Sequence, residues 1–277
     1  MGTRYRHGMS IHDGFPESGF LGQGICDGIK AIRAENAAWF DLCDDMNAVL
    51  MRVAMTAMEN PSAQGMNWSK EAVAVRLLMR SSGSFQGVVL MAERGMVVQA
   101  HTLVRSIIED SFVAGALTTK PDDVIKMLRD GAEASRRYQA TFIVAEKLGD
   151  SPETRQGLEA AIDKIDGKAR FLSPRKVASL STLLPQYLNY MRLSEDSAHL
   201  SATSLHKHVE VRDDGSGWSY RMGPARQEEI EATLHRTTLS VLPVGIVVNQ
   251  LMPDAANNSA LESLSERFRT LPAGATI

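Results

Sequence analysis

Cysteine is scarce in this chain, which has two, Cys26 and Cys43, and no CxxC pair. A disulfide framework and a zinc ribbon are excluded, because each needs more sulfur ligands at closer spacing. Neither charge sign dominates: 30 Lys and Arg stand against 33 Asp and Glu, for a formal net charge of -3. A global basic field that would gather nucleic acid nonspecifically is therefore absent, although a local basic patch stays open. The chain has no run of roughly 18 apolar residues, and its first residues, MGTRYRHGMSIHDGFPESGF, hold no hydrophobic export segment. The expectation is a soluble, cytoplasmic protein without membrane contact. The motifs G-x-x-x-x-G-K-[ST] and G-x-S-x-G are missing, as is any DNA-binding motif. Gly22-Gln-Gly24 with Gly28 follows no strand, so it is no dinucleotide fingerprint. Glu-x-x-His never occurs, which removes the usual ligand set of a di-metal bundle. No metal and no other cofactor is expected.

What is present is helical periodicity. Apolar residues make up 44% of the 277 positions, an ordinary share for a globular protein. From Cys26 to about Asn60 they recur every three or four residues, which predicts one long amphipathic helix ended by Asn60-Pro61. A second helix starts near Asn67 or Ser69, a capping residue, and runs through Ser81-Ser82-Gly83-Ser84 to Ala92, with a break at that weak run as the alternative. Gly95 stops it. A third covers Met96 to Leu117, and a fourth runs from Asp122 or Asp123 to Gly149. Shorter helices follow over Pro152 to Asp166 and on both sides of Pro185. Alternation around Asp213-Asp-Gly-Ser-Gly predicts one small β-hairpin near residues 206–222. Pro224 opens a last long helix that Pro253 stops, and a surface helix covers Asn257 to about Leu271. The fold class is thus an all-α multi-helix bundle with one hairpin. Residues 1–22 read as a flexible N-terminal arm or cover, 23–253 as the helical domain, and 254–277 as a C-terminal helix and tail.

Two polar groups stand out against this apolar pattern. On the third helix His101, Arg105 and Glu109 are four apart each time and form one stripe among Leu103, Val104, Ile107, Ile108 and Phe112. A polar stripe on a buried helix must be paired or wet. It is either an Arg105 to Glu109 ion pair bracing the bundle or the wall of a pocket in which Arg105 offers its fork to a phosphate or carboxylate. The second group holds Tyr187, Tyr190, Arg192, Glu195, Asp196, His199, His206 and His208. If helix continues from Met191 through Leu200, Arg192 and His199 lie two turns apart on one face. Such a pair can cleave RNA without metal: neutral His199 takes the 2′-hydroxyl proton, and Arg192 stabilises charge on the phosphoryl oxygens. His206 and His208 on a strand would point the same way, yet two ligands do not make a metal site.

Arg192-Leu-Ser-Glu-Asp-Ser-Ala-His199 resembles the R-x6-H form of the signature of the HEPN superfamily, all-helical proteins that include metal-independent ribonucleases of toxin and phage-defence systems. The stretch from Ala100 through His101 and Arg105 to Glu109, followed by a long helix, Tyr190-Met-Arg-Leu-Ser194 and His199, also looks like a bacterial helical family of unknown function, over about Ser69 to Leu251. The HEPN resemblance implies an antiparallel helical core, a homodimer that brings two Arg and two His into one cleft, RNA as partner, and catalytic roles for His199 and Arg192. Two readings stand. One is a metal-independent endoribonuclease of a defence or toxin system, with Arg105, Glu109, His101, Tyr190 and His206 around the site. The other is a noncatalytic helical interaction or small-anion sensing module, in which the stripe and His199 hold the bundle together or cradle an anion.

Overall fold

The apolar stripes become four long helices at the centre of the computed structural model, which describes residues 15–148, 151–165, 167–212 and 214–272. Two short turns come first, α1 (Phe15–Ser18) and a 3-10 turn (Gly19–Leu21), so the expected flexible arm lies outside the described residues over 1–14. The predicted first helix is two: α2 (Gln23–Glu35) and α3 (Ala37–Glu59). Asn36 separates them. Its Nδ2 donates to the Ile32 carbonyl at 2.8 Å, offering the backbone the local alternative that makes Asn a poor helix interior. After the short α4 (Pro61–Gln64), α5 (Lys70–Ala92) is capped by the Ser69 hydroxyl and runs unbroken through the Ser/Gly stretch. Ser81 and Ser82 are buried there, and Ser81 donates to Asp110 at 2.9 Å.

Helix α6 (Val97–Thr119) follows Gly95, then α7 (Pro121–Ala145), which opens on Pro121 rather than after a capping Asp122 or Asp123, and α8 (Pro152–Asp163). The expected ends at Gly149 and Asp166 fall outside the described residues. Next come α9 (Pro174–Ser179), a 3-10 turn through Pro185, and α10 (Tyr187–Leu193). A π turn (Ser194–Ala198) and α11 (Ala202–His206) lead to the hairpin. Its strands β1 (Val209–Val211) and β2 (Trp218–Tyr220) pair antiparallel with Val209 opposite Tyr220. The chain closes with α12 (Gln227–Leu251), which continues through Pro243, and α13 (Ala255–Thr270). The fold is all-α with one small hairpin. Helix α6 packs along both α5 and α12, with α3 against α5 and α12. Phe40, Leu50, Leu78, Phe85, Ile108 and Val248 fill the space between them. A Cβ on Gly245 would lie 2.8 Å from Leu50 Cδ2, so a residue without a side chain sets the closeness of α12 to α3.

One junction fixes the end of the bundle where α6 begins. Gly95 has φ +73, and its carbonyl accepts the Ala225 N–H at 3.0 Å. A Cβ there would meet Pro224 Cβ at 2.6 Å and Ala225 N at 2.8 Å. The α5–α6 turn is thereby stitched to the lead of α12, and beside the stitch the bundle opens into a cavity. None of the helices among the described residues is long and apolar enough to cross a membrane.

Candidate functional site

The cavity has a volume of about 440 Å³, within the range of small-molecule sites. Its walls are the start of α6, α10 with the π turn, the α11–β1 joint, the segment after β2 and the first half of α12, with Phe15 and Phe20 on one side. Four cations face it, Arg192, Lys207, Arg221 and Arg236, with three carboxylates, Glu195, Asp196 and Glu229.

Two of those carboxylates are already engaged. Arg221 grips Glu229 with both ends of its fork, Nη1 to Oε1 at 2.8 Å, and Glu229 also accepts the Arg226 N–H at 2.9 Å as the third residue of α12. Burial pushes the Glu229 carboxyl up, but these donors outweigh it and hold the group below its ordinary value. Lys207 Nζ lies 3.4 Å from Asp196. Arg192 and Arg236 have neither an ion pair nor a side-chain hydrogen bond among the described residues. Burial pushes the guanidinium of Arg236 below its ordinary value, Asp196 pulls it up, and neighbouring Arg192 pushes it down again. Arg192 on α10 and Arg236 on α12 thus both line the cavity, close enough to feel each other's charge.

The three residues of the α6 stripe part company. His101 borders the cavity and is 8% exposed. Its Nε2 lies 3.1 Å from Thr233 Oγ1. Burial, then the charges of Arg236 and Lys207, push its pKa down to about 3, so the ring is neutral at pH 7. Arg105 and Glu109 lie elsewhere, away from the cavity wall. Arg105 donates to Ser194 Oγ at 2.8 Å and to the Tyr190 hydroxyl, pairs with Glu109 at 3.3 Å and stacks over the Tyr190 ring at 4.6 Å. Tyr190 in turn stacks on Tyr187 at 5.5 Å, and burial together with Glu109 pushes its hydroxyl up from the ordinary value. This network straps α10 and the π turn to α6.

His199 and His206 also stand apart from the cavity. The helix expected from Met191 through Leu200 gives way at Ser194 to the π turn, in which the His199 N–H reaches the Ser194 carbonyl at 3.2 Å. An extra residue in the turn breaks the phase that would stack position 199 over 192. His199 is extended backbone (φ -123, ψ 144) and exposed. Arg192 faces the cavity; His199 does not border it. His206 ends α11 instead of lying on a strand, is exposed and does not line the cavity, whereas His208 does. No group of three His, Cys, Asp or Glu side chains comes together as a metal site among the described residues.

Sequence reasoning passed over Arg236, Lys207, Arg221 and Glu229. A signal for two of them existed: Glu229, Thr233 and Arg236 recur at i, i+4 and i+7 on a helix that is otherwise apolar farther along, which marks a polar stripe opposite the one on α6. Residues 71–216 match a family of unknown function, DUF5677, a shorter span than the resemblance from Ser69 to Leu251. No curated protein and no solved structure matches the chain.

Proposed function

Since the chain belongs to DUF5677, a family that carries no assigned activity, its role has to be read from the cavity, and we propose that the cavity binds a small anion and that the protein is a noncatalytic anion-sensing module. The observation that carries this is the pair Arg192 and Arg236, which line one cavity without ion-pair partners among the described residues. A desolvated guanidinium beside another is unfavourable until an anion joins them. Arginine suits that task because its fork gives two parallel hydrogen bonds to an oxyanion.

Thermal unfolding of the purified protein in rising inorganic phosphate tests the proposal. Ligand binding to the folded state raises the melting temperature with concentration. The expected result is a concentration-dependent rise in the wild type, displaced by about tenfold or more toward higher phosphate in Arg192→Gln and Arg236→Gln. Identical curves for all three proteins would contradict it.

A second reading, the metal-independent endoribonuclease, draws support from the place of Arg192 on the cavity wall. It needs His199 within reach of the same phosphate, and it needs two chains to unite two Arg and two His. RNA incubated with the protein in EDTA separates the readings. Anion sensing predicts intact RNA; cleavage lost in His199→Ala, by a dimeric protein, would replace sensing by catalysis.

A further inference from the structure

Two phenylalanines stand on the cavity instead of in the apolar core. Gly19 has φ +55 and turns the chain where α1 passes into the 3-10 turn, a conformation that a residue without a side chain adopts freely. Across that turn Phe15 and Phe20 meet edge to face, with ring centroids 5.0 Å apart. Both residues border the cavity and are half-buried. Neither belongs to the core that the long helices share, nor to the half-buried side chains packed against it. Val97 and Val98, at the start of α6, add aliphatic surface to the same walls.

A bare oxyanion leaves these walls uncovered. It takes the room of about two or three waters, each about 30 Å³, in a cavity of about 440 Å³. Small-molecule sites of this size combine a few polar or charged groups that fix orientation with apolar walls that cover the body of the ligand. Here Arg192 and Arg236 supply the first, and the phenylalanine pair with the two valines supplies the second. An aromatic body suits that pair, because rings gain from edge-to-face and offset contacts beyond the area they bury. We infer that the cavity takes an organic oxyanion built on an aromatic ring, with its charged group on Arg192 and Arg236 and its ring against Phe15 and Phe20. Aryl phosphates and aryl carboxylates share this chemistry. The inference rests on the anion-site reading and adds the ring-bearing body to it.

Calorimetric titration with two matched pairs of probes tests it: methyl phosphate against phenyl phosphate, and acetate against benzoate. In the wild type the ring-bearing member of at least one pair binds about tenfold or more tighter than its methyl counterpart, with a more negative heat-capacity change from the buried ring. The pair that shows this identifies the charged group. In Phe15→Ala and in Phe20→Ala the advantage falls by about threefold or more. Both positions lie outside the core, and the heat-capacity difference in the wild type serves if either variant does not fold. Equal affinities within both pairs, an advantage without the heat-capacity difference, or an advantage that survives both substitutions overturns this inference. The anion site still stands in those cases if Arg236→Gln weakens methyl phosphate. Ring-bearing probes that bind Arg236→Gln as tightly as the wild type, or failure of all four probes to bind, overturn the anion site itself.

Discussion

Two buried titratable side chains on α6 carry pH signatures of opposite sign. Burial raises the Asp110 carboxyl from 3.8 to about 6, against the pull of Arg80 and the Ser81 hydroxyl. The folded state then binds more protons than the unfolded chain between those values, so the contribution of Asp110 to stability falls as pH rises through that window. For His101 the folded value, about 3, lies below the ordinary 6.5. Its contribution is fully present above 6.5 and is lost as pH falls toward 3. Urea unfolding from pH 4 to 7 separates the two. Asp110→Asn should gain on the wild type by up to about 3 kcal/mol as pH rises, whereas His101→Phe should gain as pH falls. A constant difference for either variant would count against its assigned burial. Residue by residue, the site was only partly legible. Arg192 and His101 were singled out from the sequence and do face the cavity, while His199 and His206 were placed there by assuming regular structure across Ser194 and Lys207.

At the scale of elements, the departures from periodicity arose where a side chain or a tertiary partner overruled the local pattern. Asn36 ends a helix that hydrophobic spacing alone continues, where its side-chain amide donates to the Ile32 carbonyl alongside its own backbone N–H. The π turn after Leu193 leaves no trace in apolar spacing, since one extra residue in a half-buried segment moves no core position. Pro243 lies inside α12 although it removes a helical hydrogen bond, and buried contacts on both sides hold that helix together. Long helices, caps and the hairpin were legible because each depends on neighbours in sequence: Ser69 caps α5 and Pro121 opens α7. The Gly95 stitch is tertiary. Gly95→Ala should cost about 2 kcal/mol or more, from its positive φ and from contact with Pro224 and Ala225. Gly83→Ala, on an exposed helical position with nothing within 4 Å of the added carbon, should stabilise by about 0.5–1 kcal/mol. Melting temperatures that move the same way for both would contradict this account of the junction.

On the scale of the whole molecule, α3, α5, α6 and α12 share a core filled mainly by apolar side chains, with buried polar residues such as Ser81 and Asp110 inside it, and the cavity opens where α6 and α12 begin. There the strap of Arg105, Glu109, Tyr190 and Ser194 holds α10 to α6, and α10 presents Arg192 opposite Arg236. The two arginines have different surroundings: Arg105 donates to Ser194 and Tyr190 and pairs with Glu109, whereas Arg192 has no ion pair or side-chain hydrogen bond among the described residues. The most direct measurement is anomalous diffraction from crystals grown with selenate, a tetrahedral oxyanion whose selenium can be located independently of the protein. The account predicts a peak inside the cavity with its oxygens in hydrogen-bond reach of both Arg192 and Arg236. Selenium found only on surface side chains, with the cavity lacking a peak, would contradict it.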